Sequence, residues 1–182
     1  MPQAKIKPIQ RLAFTALFTA FSAIISLAES IIIPQGLFLP GVKIGLGNLA
    51  VLCALYLVDA RCAFWTAAIR PIIMFLFSGN AFSLAMSLCG SLLSLISLLF
   101  TKKLYGKCIS FIGVCAVSAV FHSLGQTIAG MLLTSADAFF VYFPLFAAAS
   151  CIAGDICGAV MNAVFPRLKK SAESAKVQEN LL

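Results

Sequence analysis

The chain has 182 residues and a formal net charge of +7, and 62% of its residues are apolar while only 10% are charged. Because a soluble domain carries about 25% charged residues, this composition excludes a water-soluble globular protein and indicates an integral membrane protein. The seven cysteines have no CxxC spacing, and cysteine within an apolar run behaves as a small hydrophobic residue. We therefore expect no disulfide, no metal site and no cofactor.

The hydropathy pattern divides the chain into a basic N-terminus at 1–11, a transmembrane domain at 12–166 and a polar tail at 167–182. Six apolar segments predict an all-α integral membrane protein with six transmembrane helices. These segments are 12–33, 44–58, 62–78, 81–100, 109–133 and 138–165. The first is longer than the roughly 7–15 apolar residues of a signal peptide, so we interpret it as a membrane helix. A span requires about 20 residues, so the second and third segments are short.

Lysine and arginine are distributed unequally between the two sets of connections. Eleven of the thirteen precede the first segment, lie in the second or fourth connection, or follow the last segment, whereas only Lys43 lies on the other side and Arg70 falls within a segment. Cytoplasmic loops carry the excess of these residues, so both termini are expected to be cytoplasmic. Membrane topology thus explains the basic charge, and we expect no nucleic-acid partner.

The first predicted helix has two faces of different character. One stripe of small residues permits close contact with another helix in lipid and consists of Ala13, Ala16, Ala20 and Ala23. Glu29 and two serines project from roughly the opposite side. The stripe has two interpretations: it docks a partner protein, or it packs within the bundle.

The next connection holds the run LPGVKIGLGN at 39–48, which contains Lys43, Asn48 and three glycines between two apolar segments. Glycine lets the backbone approach a ligand or another helix closely. A cation where a helix meets the hydrocarbon layer is costly in free energy unless an anionic group pairs with it. Lys43 therefore either binds a ligand or extends from a tight surface turn to the headgroups.

Three later segments also contain polar side chains. His122 and Gln126 share one face of the fifth helix, where they either contact a ligand or join helices by a bond such as His–Gln. Arg70 in the third helix and Asp155 in the sixth lie at similar depths near mid-membrane. We expect them to form a buried ion pair, because each charge alone would be costly there.

The other polar residues lie nearer the external surface and predict a polar chamber above this pair. The expected substrate-binding residues are Glu29, Lys43, Asn48, Arg70, His122 and Gln126. Lys43 and Arg70 would suit an anionic or phosphorylated molecule, whereas Glu29 would suit an amine or would neutralise Lys43. Whether Arg70 binds the ligand or pairs with Asp155 stays open.

The run PGVKIGLGN at 40–48, with Glu29 before it, Arg70 in the third helix and HSLGQ at 122–126, resembles the Gx transporter family. That family is also labelled heptaprenyl diphosphate synthase component I. The resemblance covers about residues 10–165. In the fifth helix the chain departs from the family pattern, because Ser123 stands where asparagine is expected.

The family is similar to the S components of energy-coupling factor vitamin transporters. Those are six-helix proteins that bind substrate near the external side. An Ala-xxx-Ala pattern on their first helix docks a transmembrane coupling protein that carries two ATPases. Ala16 and Ala20 match this pattern. The resemblance thus implies an S-component-like bundle in a bacterial cytoplasmic membrane, with a coupling protein and ATPase subunits as partners.

The two family labels imply different functions. Prenyl chain elongation needs clustered aspartates, typically DDxxD, but Asp59, Asp137 and Asp155 are isolated, and the chain has no P-loop and no HExxH. We therefore expect no catalytic residues and no enzyme activity. The favoured function is a membrane-embedded substrate-binding subunit of a small-molecule uptake transporter. The alternative is a noncatalytic membrane subunit associated with heptaprenyl diphosphate synthesis, and a structural membrane scaffold ranks third.

Overall fold

The computed structural model describes residues 7–32, 43, 45–106, 109–135 and 137–179, with side chains as far as residue 168. Most of the predicted basic N-terminus, and residues 33–42 and 44 of the glycine-rich connection, lie outside this described part. The described chain forms seven helices and no strand. They are α1 (Pro8–Ile32), α2 (Asn48–Leu57), α3 (Ala60–Ser78), α4 (Ala81–Lys102), α5 (Phe111–Thr134), α6 (Ala138–Val141) and α7 (Phe143–Glu179). The prediction of an all-α protein is confirmed.

Five of these helices are long and apolar enough to cross a membrane: α1, α3, α4, α5 and the Phe143–Leu168 part of α7. They support a multi-pass membrane protein. The sixth predicted span, 44–58, contains only the ten-residue helix α2. Ten residues rise about 15 Å, half of the roughly 30 Å hydrocarbon core. Six complete spans are therefore not confirmed.

The shortness of α2 has a local cause at its N-terminal end. Gly45 has φ +93°, in the left-handed region that favours glycine, so a right-handed helix cannot run through it. A turn over Gly45–Gly47 follows, and α2 begins at Asn48. We call these three residues the turn. The last predicted span also differs, because α6 and α7 divide it at Tyr142 and α7 continues past Pro166 to Glu179.

The short helix α2 lies at the centre of the bundle. It contacts α1, α3, α4, α5 and α7, and its residues 50–55 are all buried. A helix that is apolar on every side requires such a position. Around it, α5 packs mainly against α4 and α7, while α1 packs mainly against α3, and α1 and α7 make no contact within the described residues.

One end of the bundle is fixed by Asp59, the N-cap of α3. Its carboxylate accepts the backbone N–H of Cys62 at 2.7 Å and binds Nε of Arg11 at 2.8 Å. An Asp N-cap stabilises a helix start by about 1 kcal/mol. The Arg11 contact places the first turns of α1 and α3 at the same end of the bundle, which agrees with the alternating direction predicted for the helices.

The two faces predicted for α1 are present. Glu29 is buried with Ser22 and Ser26, whereas Ala13, Ala16 and Ala20 are exposed on the outer surface of the bundle. Ala23, the fourth alanine of the stripe, is buried. The stripe therefore packs within the bundle at Ala23 and faces outward at its other three alanines.

Candidate ligand-binding site

The turn is held in the bundle interior by side chains of α1. The Glu29 carboxylate accepts the backbone N–H groups of Gly45 at 2.9 Å and Leu46 at 3.0 Å, one on each oxygen. The Ser22 hydroxyl donates to the carbonyl of Gly47 at 2.8 Å. Glu29 is only 3% exposed, so both of its oxygens serve the backbone of the turn. The sequence analysis expected Glu29 to bind an amine ligand or to neutralise Lys43, and it did not consider the backbone N–H groups of the turn.

The other side of this connection is held by α5. Gln126 Oε1 accepts the backbone N–H of Lys43 at 3.0 Å, and Gln126 Nε2 lies 2.7 Å from His122 Nε2. The His122–Gln126 contact lies within α5, so it does not join two helices as the interpretation of a helix-joining bond expected. Lys43 lies outside the five candidate spans; burial lowers the pKa of its ammonium group, while the negative charge of Glu29 opposes this shift.

Arg70 has partners other than the predicted one. It is 2% exposed, its Nη1 donates to Asn48 Oδ1 at 3.1 Å, and its Nη2 donates to the hydroxyl of Ser91. Ser91 in turn donates to the carbonyl of Ser87 at 2.7 Å. Sequence reasoning missed Ser91, although a serine on a membrane helix is a signal for hydrogen bonding between helices.

The predicted Arg70–Asp155 ion pair is wrong. Asp155 lies on the exposed surface of α7, and α3 and α7 make no contact in the described part of the chain. The cause is the packing of α7 through Gly154 and Gly158. A Cβ on Gly154 would lie 2.8 Å from the carbonyl oxygen of Cys115. A Cβ on Gly158 would lie even closer to Cα of Ile112. Cys115 and Ile112 both belong to α5. Asp155 follows Gly154 by one residue, about 100° around the helix, and so points away from the interior.

Two glycines of the turn leave room for the side chains of His122 and Arg70 to approach its backbone. A Cβ on Gly45 would lie 2.7 Å from Cδ2 of His122, and a Cβ on Gly47 would lie 2.6 Å from Nη1 of Arg70. Neither position has room for a larger residue. The turn is therefore in direct contact with α3 and α5.

The structure thus brings together all six residues predicted for the chamber. We call them the polar cluster: Glu29, Lys43, Asn48, Arg70, His122 and Gln126. Arg70 belongs to this cluster through Asn48 and the turn, and does not form a separate layer below it. Among the residues that the structure describes, Nδ2 of Asn48 finds no hydrogen-bond partner and is buried.

A small cavity of about 20 Å³ lies beside the turn. This volume is enough for about one water molecule. Gly45, Leu46 and Asn48 line it on one side, and α5 and α7 line it on the other. Of the polar cluster, only Asn48 reaches this cavity. Ser118 of α5 also lines it and bonds to Ser94 at 2.6 Å. Ser118 lies one helical turn before His122 on the same face of α5, as the helical spacing predicts.

The model of a protein family described as heptaprenyl diphosphate synthase component I matches residues 18–164. The chain belongs to this family. The match includes the turn, the polar cluster and the cavity. The description of the family as one component of a synthase implies a further component as partner. No curated protein and no solved structure shows significant similarity to the chain.

Besides the cavity beside the turn, the bundle has a second opening, a groove whose lining is apolar throughout. This groove lies between α1 and α7, with α2 as its floor, and has a volume of about 400 Å³. Its lining residues are Leu17, Phe18, Phe21, Leu49, Cys53, Val160, Met161, Val164 and Leu168. Within the described ranges no three His, Cys, Asp or Glu side chains lie close enough to hold a metal ion. The two openings therefore differ in chemistry, since one borders the polar cluster and the other is suited only to apolar chains.

Proposed function

We propose that this protein is the membrane-embedded, noncatalytic substrate-binding subunit of a small-molecule uptake transporter, similar to the S components. The observation that supports the proposal is the convergence of the polar cluster, from α1, α2, α3 and α5, on a turn inside an apolar bundle. Polar and charged groups inside a membrane protein are costly and usually mark a ligand or ion pathway.

The form of α2 supports the same function. Transporters commonly bind their substrates where a membrane helix is interrupted near the bilayer midplane, beside the unwound backbone. Here the turn and the half-length helix α2 form such an interruption. A turn that only connected two helices would instead lie at the membrane surface.

The proposed direction of capture follows from the position of α2. This helix fills the half of the bundle that ends at the Arg11–Asp59 contact, which the distribution of lysine and arginine assigns to the cytoplasm. The turn and Lys43 then lie toward the external half. Substrate enters from outside, and the exposed stripe of Ala13, Ala16 and Ala20 is free to dock a transmembrane coupling protein that carries ATPase subunits.

The direct test is to purify the protein from its native membranes, denature it and identify the released small molecules by mass spectrometry. We expect one molecule in amounts comparable to the protein, and a matching loss of its uptake by cells that lack the chain. His122→Ala should reduce the released amount, whereas Lys103→Ala, at an exposed site outside the cluster, should not. Recovery of no molecule, together with unchanged uptake of all candidates, would refute the proposal.

A second function is favoured by the family description and by the apolar groove. A noncatalytic membrane subunit associated with heptaprenyl diphosphate synthesis would need a surface for an isoprenoid chain, and the groove between α1 and α7 has suitable lining and size. Affinity purification separates the two functions. An aspartate-rich soluble synthase that is retained on the protein supports the second, and a coupling protein with ATPases supports the first.

A further inference from the structure

We propose that the outward face of α7 around Asp155 binds a transmembrane helix of a different protein. That helix presents a lysine or arginine to the Asp155 carboxylate near the middle of the bilayer. This partner surface goes beyond the proposed function, since it is separate from both the polar cluster and the exposed alanines of α1. Three observations carry it: the depth of Asp155, its exposure without a partner, and the position of the chain's own mid-span cation.

Asp155 lies near the middle of the last candidate span, Phe143–Leu168. About 18 Å of helix separates it from Phe143 and about 20 Å from Leu168, so with α7 across the bilayer its carboxylate lies deep in the hydrocarbon region. An aspartate side chain is too short to reach the headgroups from there, unlike the long side chains of lysine and arginine. Ionisable residues at such depth almost always face the interior of a bundle or a water-filled cavity, where they pair with another group.

Asp155 instead points out of the bundle. Gly154 and Gly158 pack against α5, while Asp155 and its neighbours Ile152 and Ile156 are exposed. Among the residues that the structure describes, Asp155 forms neither a hydrogen bond nor an ion pair. A carboxylate that faces lipid without a partner is costly in free energy, and a cation on a neighbouring membrane helix would remove that cost.

The residues around Asp155 on this face suit a close helix contact. At 100° per residue, Ala148, Ala159 and Asn162 fall within about 40° of Asp155, and all three are exposed. Small residues let two membrane helices approach closely, and asparagine forms hydrogen bonds between helices in lipid. The face is also distinct from the apolar groove, because Val164, which lines the groove, lies on the opposite side of α7.

The charge of Asp155 decides the class of partner. Arg70 is the one lysine or arginine near the middle of a described candidate span, and it is buried and bonded to Asn48 and Ser91. A second copy of the chain therefore offers no exposed cation at that depth, and a symmetric pair of copies would bring two Asp155 carboxylates together. Charge complementarity thus favours a different protein whose membrane helix carries the cation.

The first test measures binding of a synthetic membrane helix to the full chain in phosphatidylcholine vesicles. The probe is a leucine–alanine helix of about 20 residues with one central arginine, and its counterpart has a central glutamine. Energy transfer from a fluorophore on a C-terminal tag of the chain reports binding. The arginine helix should bind roughly 10-fold more tightly than the glutamine helix, because a hydrogen bond between two charged groups is stronger than one to a neutral amide.

Two matched variants separate the charge of Asp155 from other effects. Asp155→Asn should abolish the preference for the arginine helix. Asp137→Asn neutralises an exposed acid outside the candidate spans and should retain the preference. Helical circular dichroism of both variants verifies that the bundle is intact.

A photo-crosslinker in native membranes identifies the natural partner. Benzoylphenylalanine in place of Ala159, about one turn from Asp155, should capture a membrane helix with a lysine or arginine near its middle. Asp155→Asn should reduce this capture roughly 5-fold or more. The same crosslinker in place of Ile72, which is exposed on α3, should not capture that protein. The inference is overturned if the two probe helices bind alike, if Asp155→Asn keeps the preference, if nothing is captured, or if the captured helix has no central cation or belongs to a second copy.

Discussion

Replacing Glu29 by glutamine tests how the turn is held in the interior. The change is nearly isosteric, but it removes the negative charge that accepts two backbone N–H groups at 2.9 and 3.0 Å. One amide oxygen can serve only one of these donors well, and the amide N–H₂ group then faces the other donor. Weakening one bond and orphaning a second donor costs about 2–4 kcal/mol in all.

For a chain of this length, 1 kcal/mol corresponds to about 2–4 °C in Tm, so Glu29→Gln should lower Tm by roughly 4–16 °C. Thermal unfolding of the detergent-solubilised protein, followed by circular dichroism, measures the shift. Asp155→Asn is the matched control, because Asp155 is exposed and has no contact with α3. A Tm no lower for Glu29→Gln than for Asp155→Asn would refute this account of the turn. A large loss for Asp155→Asn would restore the ion pair with Arg70.

Three further predictions concern orientation, docking and binding. In a cysteine-free background, Asp137→Cys should react with an impermeant thiol reagent in intact cells and Lys103→Cys should not; the reverse pattern would invert the topology. Ala16→Leu with Ala20→Leu should prevent copurification of a coupling protein while small-molecule binding survives, and normal assembly would exclude this stripe as the docking face. Lys43→Ala keeps its backbone bond to Gln126 but loses the ammonium group, so the amount of small molecule that copurifies with the protein should fall roughly 10-fold or more by mass spectrometry. An unchanged amount would remove Lys43 from the site.

The faces of single helices were predictable from the sequence. Alternation at 100° per residue placed Glu29 on one side of α1 and the alanines on the other. The structure buries Glu29 and exposes Ala13, Ala16 and Ala20, although it also buries Ala23. Likewise, the spacing of His122 and Gln126 by four residues put them within reach of each other on α5. These relations are local, because they depend only on the geometry of one helix.

The relations between helices were not predictable in the same way. Equal depth in the membrane suggested a pair between Arg70 and Asp155, but depth does not say which helices are neighbours or which side of α7 faces inward. Glycine packing against α5 decided that, and it left Asp155 outside. Similarly, hydropathy could not separate a complete span at 44–58 from a half-length helix, since both are apolar.

The sequence by itself determined the class of protein, five of the spans and the composition of the polar cluster, because these follow from hydropathy and from the cost of polar groups in lipid. The tertiary structure alone decided what each polar group bonds to. Glu29 holds backbone N–H groups and Arg70 orients Asn48, because the positive φ of Gly45 makes α2 begin inside the bundle and brings the turn between α1, α3 and α5. A turn placed there presents its backbone N–H groups to buried side chains. No local pattern in the sequence predicts these contacts, because they join residues that are distant along the chain.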